Sequence, residues 1–370
     1  MTPSILLLTA SFAVDVLDPH DPVAPPQDRP EVGAPPQGTA TSNPIINGER
    51  ATREDYPMAG GLIFEARISG GPLGGGPAHL RQFGCSATLI APDVVLLAAH
   101  CIDPFVLGQG GQAEGLRFWF SRRVDLTSPA SPNEDPPADA VEAIEAVLPN
   151  QWNINAMQNF DIGDRKWDIG LLFLEEPILD VQPAVLPEPG EVELSAGTEV
   201  DIVGWGLREP ITVLEGFTPP EPGAAGIKYW STTRLALVGD YEMQVGDTPE
   251  SGRKCRGDSG GPTFVFNPDA ETADPMRLVG VTSRAADFSL CASLGGFDTR
   301  VEPYLNWIET QMIRGCDDGT RVWCDEPGFP TPLSIADVDG EGCGCNSLAP
   351  LQGAGSLGLL GLLALRRRRA

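Results

Sequence analysis

RKCRGDSGGP, running from Arg253 to Pro262, sets Arg253, Lys254 and Arg256 around a single serine in a 370-residue chain of formal net charge −26. Ser259 is the candidate nucleophile of this stretch. A serine hydroxyl attacks well only when a base takes its proton and a third group orients that base. The chain has three histidines to supply the base. His20 lies in a Pro-rich segment and His79 in the Gly-Pro-rich run GGPLGGGPAHL. His100 ends an apolar run beside Cys101, where a disulfide would hold it still.

Outward from Ser259 the sequence is made of short β-type runs cut by Gly and Pro. SATLIAPDVVLLAAHC (Ser86–Cys101), WDIGLLFL (Trp167–Leu174), TEVDIVGWG (Thr198–Gly206), TFVF (Thr263–Phe266), RLVGVT (Arg277–Thr282) and FDTRV (Phe297–Val301) are all of this kind. EPYLNWIETQMI (Glu302–Ile313) alone carries a helical stripe, with Tyr304, Leu305, Ile308 and Met312 on one face. Many strands and one closing helix predict an all-β domain, as barrels or a sandwich.

GCSATLIAPDVVLLAAHC, WDIGLLFL, VGWG and CRGDSGGP, in that order, resemble the trypsin/chymotrypsin-like serine proteases over residues 45–313. His100 and Asp168 are 68 residues apart, and Asp168 and Ser259 are 91 apart. The first interval holds a Pro- and acid-rich insertion, SPASPNEDPPADA (Ser128–Ala140). The resemblance implies two packed six-stranded antiparallel β-barrels with a C-terminal helix. It also implies a catalytic triad of His100, Asp168 and Ser259: Ser259 attacks the scissile carbonyl, His100 carries the proton, and Asp168 fixes the imidazole. The Gly257 and Ser259 N–H groups would form the oxyanion hole, and Ser283 would stand behind Asp168. IINGERA (Ile45–Ala51) resembles the new chain start of an activated precursor, so Ile45 would pair with Asp258. Pro44 stands where a basic residue is usual before that cut, which argues against self-activation by tryptic cleavage. RGDS (Arg256–Ser259) also spells an adhesion motif, discounted because the family buries this aspartate.

By the same resemblance the specificity pocket comprises Arg253, Ser283, Arg284, Ala285, Gly296 and Asp298. Arg253 occupies the floor position, where an acid would select Lys or Arg, so tryptic specificity is expected to be lost. Two preferences stay open. Arg253 would favour Asp or Glu before the scissile bond, whereas a pairing of Arg253 with Asp298 would leave a neutral floor for apolar or small residues. Arg284 replaces a tryptophan of the substrate-binding strand, and Lys254 and Arg256 are expected at the surface.

A pI near 4.3 excludes general nucleic-acid binding. The eight cysteines fall in an order that suggests local pairs, Cys85 with Cys101, Cys255 with Cys291, Cys316 with Cys324 and Cys343 with Cys345. Order does not fix connectivity, but the even count fits an oxidising compartment. Residues 1–13 read as a signal peptide lacking the usual basic start, and residues 14–44 as a Pro-rich pro-segment. Residues 314–342 read as a linker with a local disulfide, in which DVDGEG lacks the ligands of a calcium loop. Residues 343–370 join a Gly-Cys cluster, an apolar run and four arginines. This is either a single-pass anchor or, by resemblance, a MYXO-CTERM surface-sorting signal whose tail is removed.

The expected protein is therefore a monomeric serine endopeptidase acting on proteins or peptides. It would be secreted or attached to the cell surface or outer membrane by its tail, with no metal or other cofactor required. A protease-fold binding protein that no longer cuts is the alternative reading, and a surface structural module the third.

Overall fold

The computed structural model describes residues 45–69, 78–108, 111–127, 135–159, 161–207, 225–270, 274–286, 291 and 295–324. The chain divides into Met1–Thr41 and Ser42–Ala370, and every described residue belongs to the second unit. The proposed signal peptide, pro-segment and sorting tail lie outside the described residues, as does the Cys343–Cys345 pair.

A short strand, β1 (Glu49–Arg50), precedes the first barrel, which contains β2 (Ala59–Ser69), β3 (Ala78–Ala91), β4 (Val94–Leu97), β5 (Gln112–Ser121), β6 (Val141–Val147) and β7 (Gly170–Leu174). These close antiparallel in the order β2-β3-β4-β7-β6-β5. A single helical turn, α1 (Pro104–Leu107), leads from β4 towards β5, with Asp103 capping it through the Phe105 N–H. The four residues of β4, VVLL, are all buried. They read as a continuous apolar run because both faces of that strand are covered.

The second barrel contains β8 (Glu199–Gly204), β9 (Tyr229–Val238), β10 (Glu242–Val245), β11 (Pro262–Phe266), β12 (Met276–Ala285) and β13 (Gly296–Arg300). Its order is β8-β9-β10-β13-β12-β11, closed by pairing of β11 with β8, and β1 adds to β9. Ile202, Leu235, Met243, Val245 and Val279 fill its interior. Val203, Trp205, Phe264 and Val281 instead join the core of the first barrel. Each such fully buried aliphatic side chain contributes about 1.5–3 kcal/mol of transfer free energy, so the seam between the barrels is part of the core.

The closing helix α2 (Leu305–Asp317) buries Leu305, Ile308 and Met312, the predicted stripe. It runs past Ile313, and the folded body continues through Cys324, into the stretch expected to be linker. Arg321 is buried against Asp93, its Nη2 2.7 Å from Oδ1. Asp93 also accepts the Val322 and Trp323 N–H groups, at 3.0 and 2.9 Å. No helix among the described residues is long and apolar enough to cross a membrane.

Candidate active site

His100 sits in a turn of 3-10 helix, Ala99–Cys101, at the end of β4, and the Cys85–Cys101 disulfide ties that turn to β3. Its Nδ1 lies 2.9 Å from Asp168 Oδ2, and its backbone N–H donates to Asp168 Oδ1 at 3.0 Å. Asp168 is fully buried just before β7. Ser283 Oγ, on β12, donates to its other side at 2.6 Å, and the Asp168 carbonyl accepts from Thr299 Oγ1 at 2.9 Å. Burial works to lower the His100 pKa, but the charge and hydrogen bond of Asp168 outweigh it and hold the imidazole above its ordinary value. Burial likewise pushes Asp168 up, and His100 and Ser283 more than reverse this, so its carboxyl stays below the usual range. A carboxylate facing Nδ1 in this way leaves Nε2 as the atom able to accept a proton.

Ser259 rides on a loop gripped from both barrels. From β3, Ser86 Oγ donates to the Gly257 carbonyl at 2.9 Å and the Ser86 N–H to the Ser259 carbonyl at 2.8 Å. From β12, the Thr282 carbonyl accepts the Gly260 N–H at 2.8 Å. Gly257 and Gly260 have φ of 96° and 78°, the left-handed backbone that glycine adopts without strain. The N–H groups of Gly257 and Ser259 donate to no described residue, as a site for a developing oxyanion requires. No hydrogen bond joins Ser259 to His100 among the described residues. Catalytic hydrogen bonds often tighten only once substrate is bound.

Asp258 is fully buried beneath this loop. Its two oxygens accept the Gly206 and Cys255 N–H groups, each at 2.7 Å. A Cβ on Gly204 or Gly206 would collide with the carboxylate. Burial raises its pKa to about 7, against the pull of those two N–H groups. Ile45 is fully buried in the core of the second barrel, and its neighbour Ile46 exchanges both backbone hydrogen bonds with Arg253, each at 2.9 Å. In this uncut chain Ile45 carries an amide and no ammonium, so the pair with Asp258 expected after the cut has no cation to form it.

A cavity of about 150 Å³ opens beside Ser259. Ser283, Arg284, Ala285 and Gly296 line it as the sequence predicts, but Arg253 and Asp298 do not. Lys254 lines it instead. Contrary to expectation Lys254 is buried, whereas Arg256 is exposed. The partner of Asp298 is Lys254 and not Arg253: Lys254 Nζ lies 2.7 Å from Asp298 Oδ2 and donates to Thr263 Oγ1 at 2.5 Å. Arg253 is itself buried, but it lies outside this cavity, with its backbone bridged to Ile46. The Arg284 guanidinium is bound by Glu242, with Nη2 donating to Oε2 at 2.9 Å and to the Asn159 carbonyl at 3.2 Å. Lys166 Nζ lies 2.9 Å from the same carboxylate.

Sequence reading missed Lys254, Thr263, Glu242 and Lys166. The charge of Lys254 beside Arg253 was visible, but not which of the two buried cations reached the cavity. Cys255–Cys291 and Cys316–Cys324 form as the cysteine order suggested. Cys85, His100 and Cys101 cluster closely enough to hold a metal, but the two sulfurs are bonded to each other and offer no thiolate ligand.

A family model described as Trypsin matches residues 45–308. Phenoloxidase-activating factor 1 of Holotrichia diomphalia is 25% identical over 285 residues, covering 72% of this chain and 69% of that protein. Limulus clotting factor C of Carcinoscorpius rotundicauda is 27% identical over 238 residues, 60% of this chain and only 22% of its own length. A trypsin of Saccharopolyspora erythraea is 26% identical over 281 residues, covering 73% of this chain and 99% of the relative.

Proposed function

The chain belongs to the trypsin family of serine endopeptidases, and from that premise we propose a secreted, surface-attached, non-tryptic enzyme made as a precursor that is cut before Ile45. Ser259 Oγ attacks the scissile carbonyl while His100 Nε2 takes its proton. Asp168 holds the Nδ1 proton and stabilises the imidazolium that forms. The tetrahedral oxyanion takes hydrogen bonds from the Gly257 and Ser259 N–H groups. His100 then returns the proton to the leaving amine, and water repeats the sequence to free the acyl-enzyme. The relay from Ser283 through Asp168 to His100 is the observation that carries this reading.

Cutting before Ile45 creates an ammonium that would pair with Asp258, whose buried carboxyl has only the Gly206 and Cys255 N–H groups to hold it in the uncut chain. Breaking such a buried pair by removing one partner typically costs about 3–5 kcal/mol. Matured enzyme should therefore exceed the uncut chain in kcat/KM by two orders of magnitude or more. Substrates are proteins or peptides, with an acidic, apolar or small residue before the cut. Three disulfides in the described body suit an oxidising compartment, and the tail beyond it would attach the enzyme to the cell surface.

The direct test is labelling by a serine-directed phosphonate. Protein beginning at Ile45 should be modified at Ser259 and should hydrolyse casein, and Ser259→Ala should do neither. Absence of labelling in correctly matured protein would overturn the assignment.

A further inference from the structure

Acidic residues outnumber basic ones 51 to 25 in this chain, yet the cavity beside Ser259 is lined by Lys254, Arg256 and Arg284 and, among the described residues, by no carboxylate. The three cations are not equivalent. Arg256 is exposed, and the Arg284 guanidinium is engaged by Glu242 and the Asn159 carbonyl. Lys254 is buried and held still. Of the three N–H donors of an ammonium, one is directed to Asp298 Oδ2 at 2.7 Å and one to Thr263 Oγ1 at 2.5 Å. Thr263 in turn donates to the same Asp298 oxygen at 2.5 Å. One N–H of Lys254 therefore remains without an acceptor among the described residues. Asp298, its counter-charge, does not line the cavity. Arg253 is held by its backbone to Ile46, and its Cγ would lie 3.3 Å from a Cβ placed on Gly246.

We propose that Lys254 reads the residue before the scissile bond, and that this residue is glutamate or aspartate, whose carboxylate accepts the remaining Lys254 N–H. The proposal rests on the endopeptidase reading above. Asp298 balances the Lys254 charge, so selection rests on the open N–H, to which a lysine or arginine side chain offers no acceptor. An apolar side chain would cover the free N–H and leave it without an acceptor. Glutamine would fill that bond but without the charge that makes such bonds short and strong.

The test compares kcat/KM on peptides identical except for Glu, Gln, Leu or Lys before the cut, using enzyme matured to begin at Ile45. The Glu peptide should exceed its isosteric Gln partner about tenfold or more, the scale of a hydrogen bond to a charged group. Lys254→Gln should bring that ratio close to one, Lys254→Arg should keep Glu preferred, and Arg253→Gln should leave the ratio as it was. A wild-type ratio at or below one overturns the proposal. So does a ratio that survives Lys254→Gln or collapses in Arg253→Gln. If Lys254→Gln does not fold, the wild-type ratio and Lys254→Arg decide. Phosphonate titration of each preparation separates the two layers. Labelled Ser259 without a Glu preference sinks the proposal alone, whereas no labelling and no cleavage sinks the endopeptidase reading with it.

Discussion

Asp168 decides how His100 titrates. Burial alone would make the imidazole harder to protonate, and the adjacent carboxylate reverses this. Asp168→Asn should therefore shift the acid limb of the kcat/KM profile to lower pH. It should also cut kcat by about 10⁴, because the imidazole loses its tautomer as well as its counter-charge. A pH-rate series on peptide substrate reads both effects. Asp258 gives a second titration with the opposite consequence for folding. Its folded pKa of about 7 lies above the ordinary 3.8, so between those values the folded precursor holds a proton that the unfolded chain releases. Its contribution therefore favours the uncut chain most below about pH 4, declines as pH rises to 7, and changes little above that. Urea unfolding at pH 4.5 and 7.5 should show this slope in the precursor and a smaller one in Asp258→Asn. At this scale the triad was legible because each member sits in a motif of its own. Lys254 was not, because two adjacent cations look alike in a sequence, and both are buried while only Lys254 lines the cavity.

Helix α2 shows why an element can be read and still be given the wrong length. Its stripe of Leu305, Ile308 and Met312 has the helical period, and beyond it the residues are polar and interrupted by Gly315, which reads as a stop. In the fold Gly315 is instead a point of close approach. A Cβ there would stand 2.6 Å from the Phe173 ring and 2.7 Å from Arg321 Cγ. Gly315→Ala should lower the unfolding midpoint, and Asp93→Ala should cost more, about 3–5 kcal/mol, by stranding the buried Arg321. Equilibrium denaturation of the two variants should keep that order. Strands such as β5, QAEGLRFWFS, and β6, VEAIEAV, escaped the sequence reading for a related reason. Their outer residues are half exposed, so glutamates and a glycine interrupt the apolar pattern, and only neighbouring strands supply the pairing that defines them.

Over the whole molecule, all-β architecture followed from the density of short runs, whereas barrel closure depends on pairings between residues far apart in sequence, such as β11 with β8. Net charge also acts at this scale. A chain of −26 repels acidic peptides in bulk even where its cavity attracts their side chains. With screening falling to about 8 Å at physiological ionic strength, kcat/KM for highly acidic peptides should rise with added salt up to that range, and that for neutral peptides should stay nearly level. Stopped-flow or steady-state assays across a salt series would show a flat or falling acidic curve if the global field were irrelevant. The clasp around Asp93 has a mechanical side. Any load arriving along the chain beyond Cys324 meets the Cys316–Cys324 loop and the Arg321–Asp93 pair first. It divides between Cys316, in the last turn of α2, and the β3–β4 turn that holds Asp93. A protein moored by that end would share the pull between its closing helix and the first barrel, through a covalent loop and a buried ion pair.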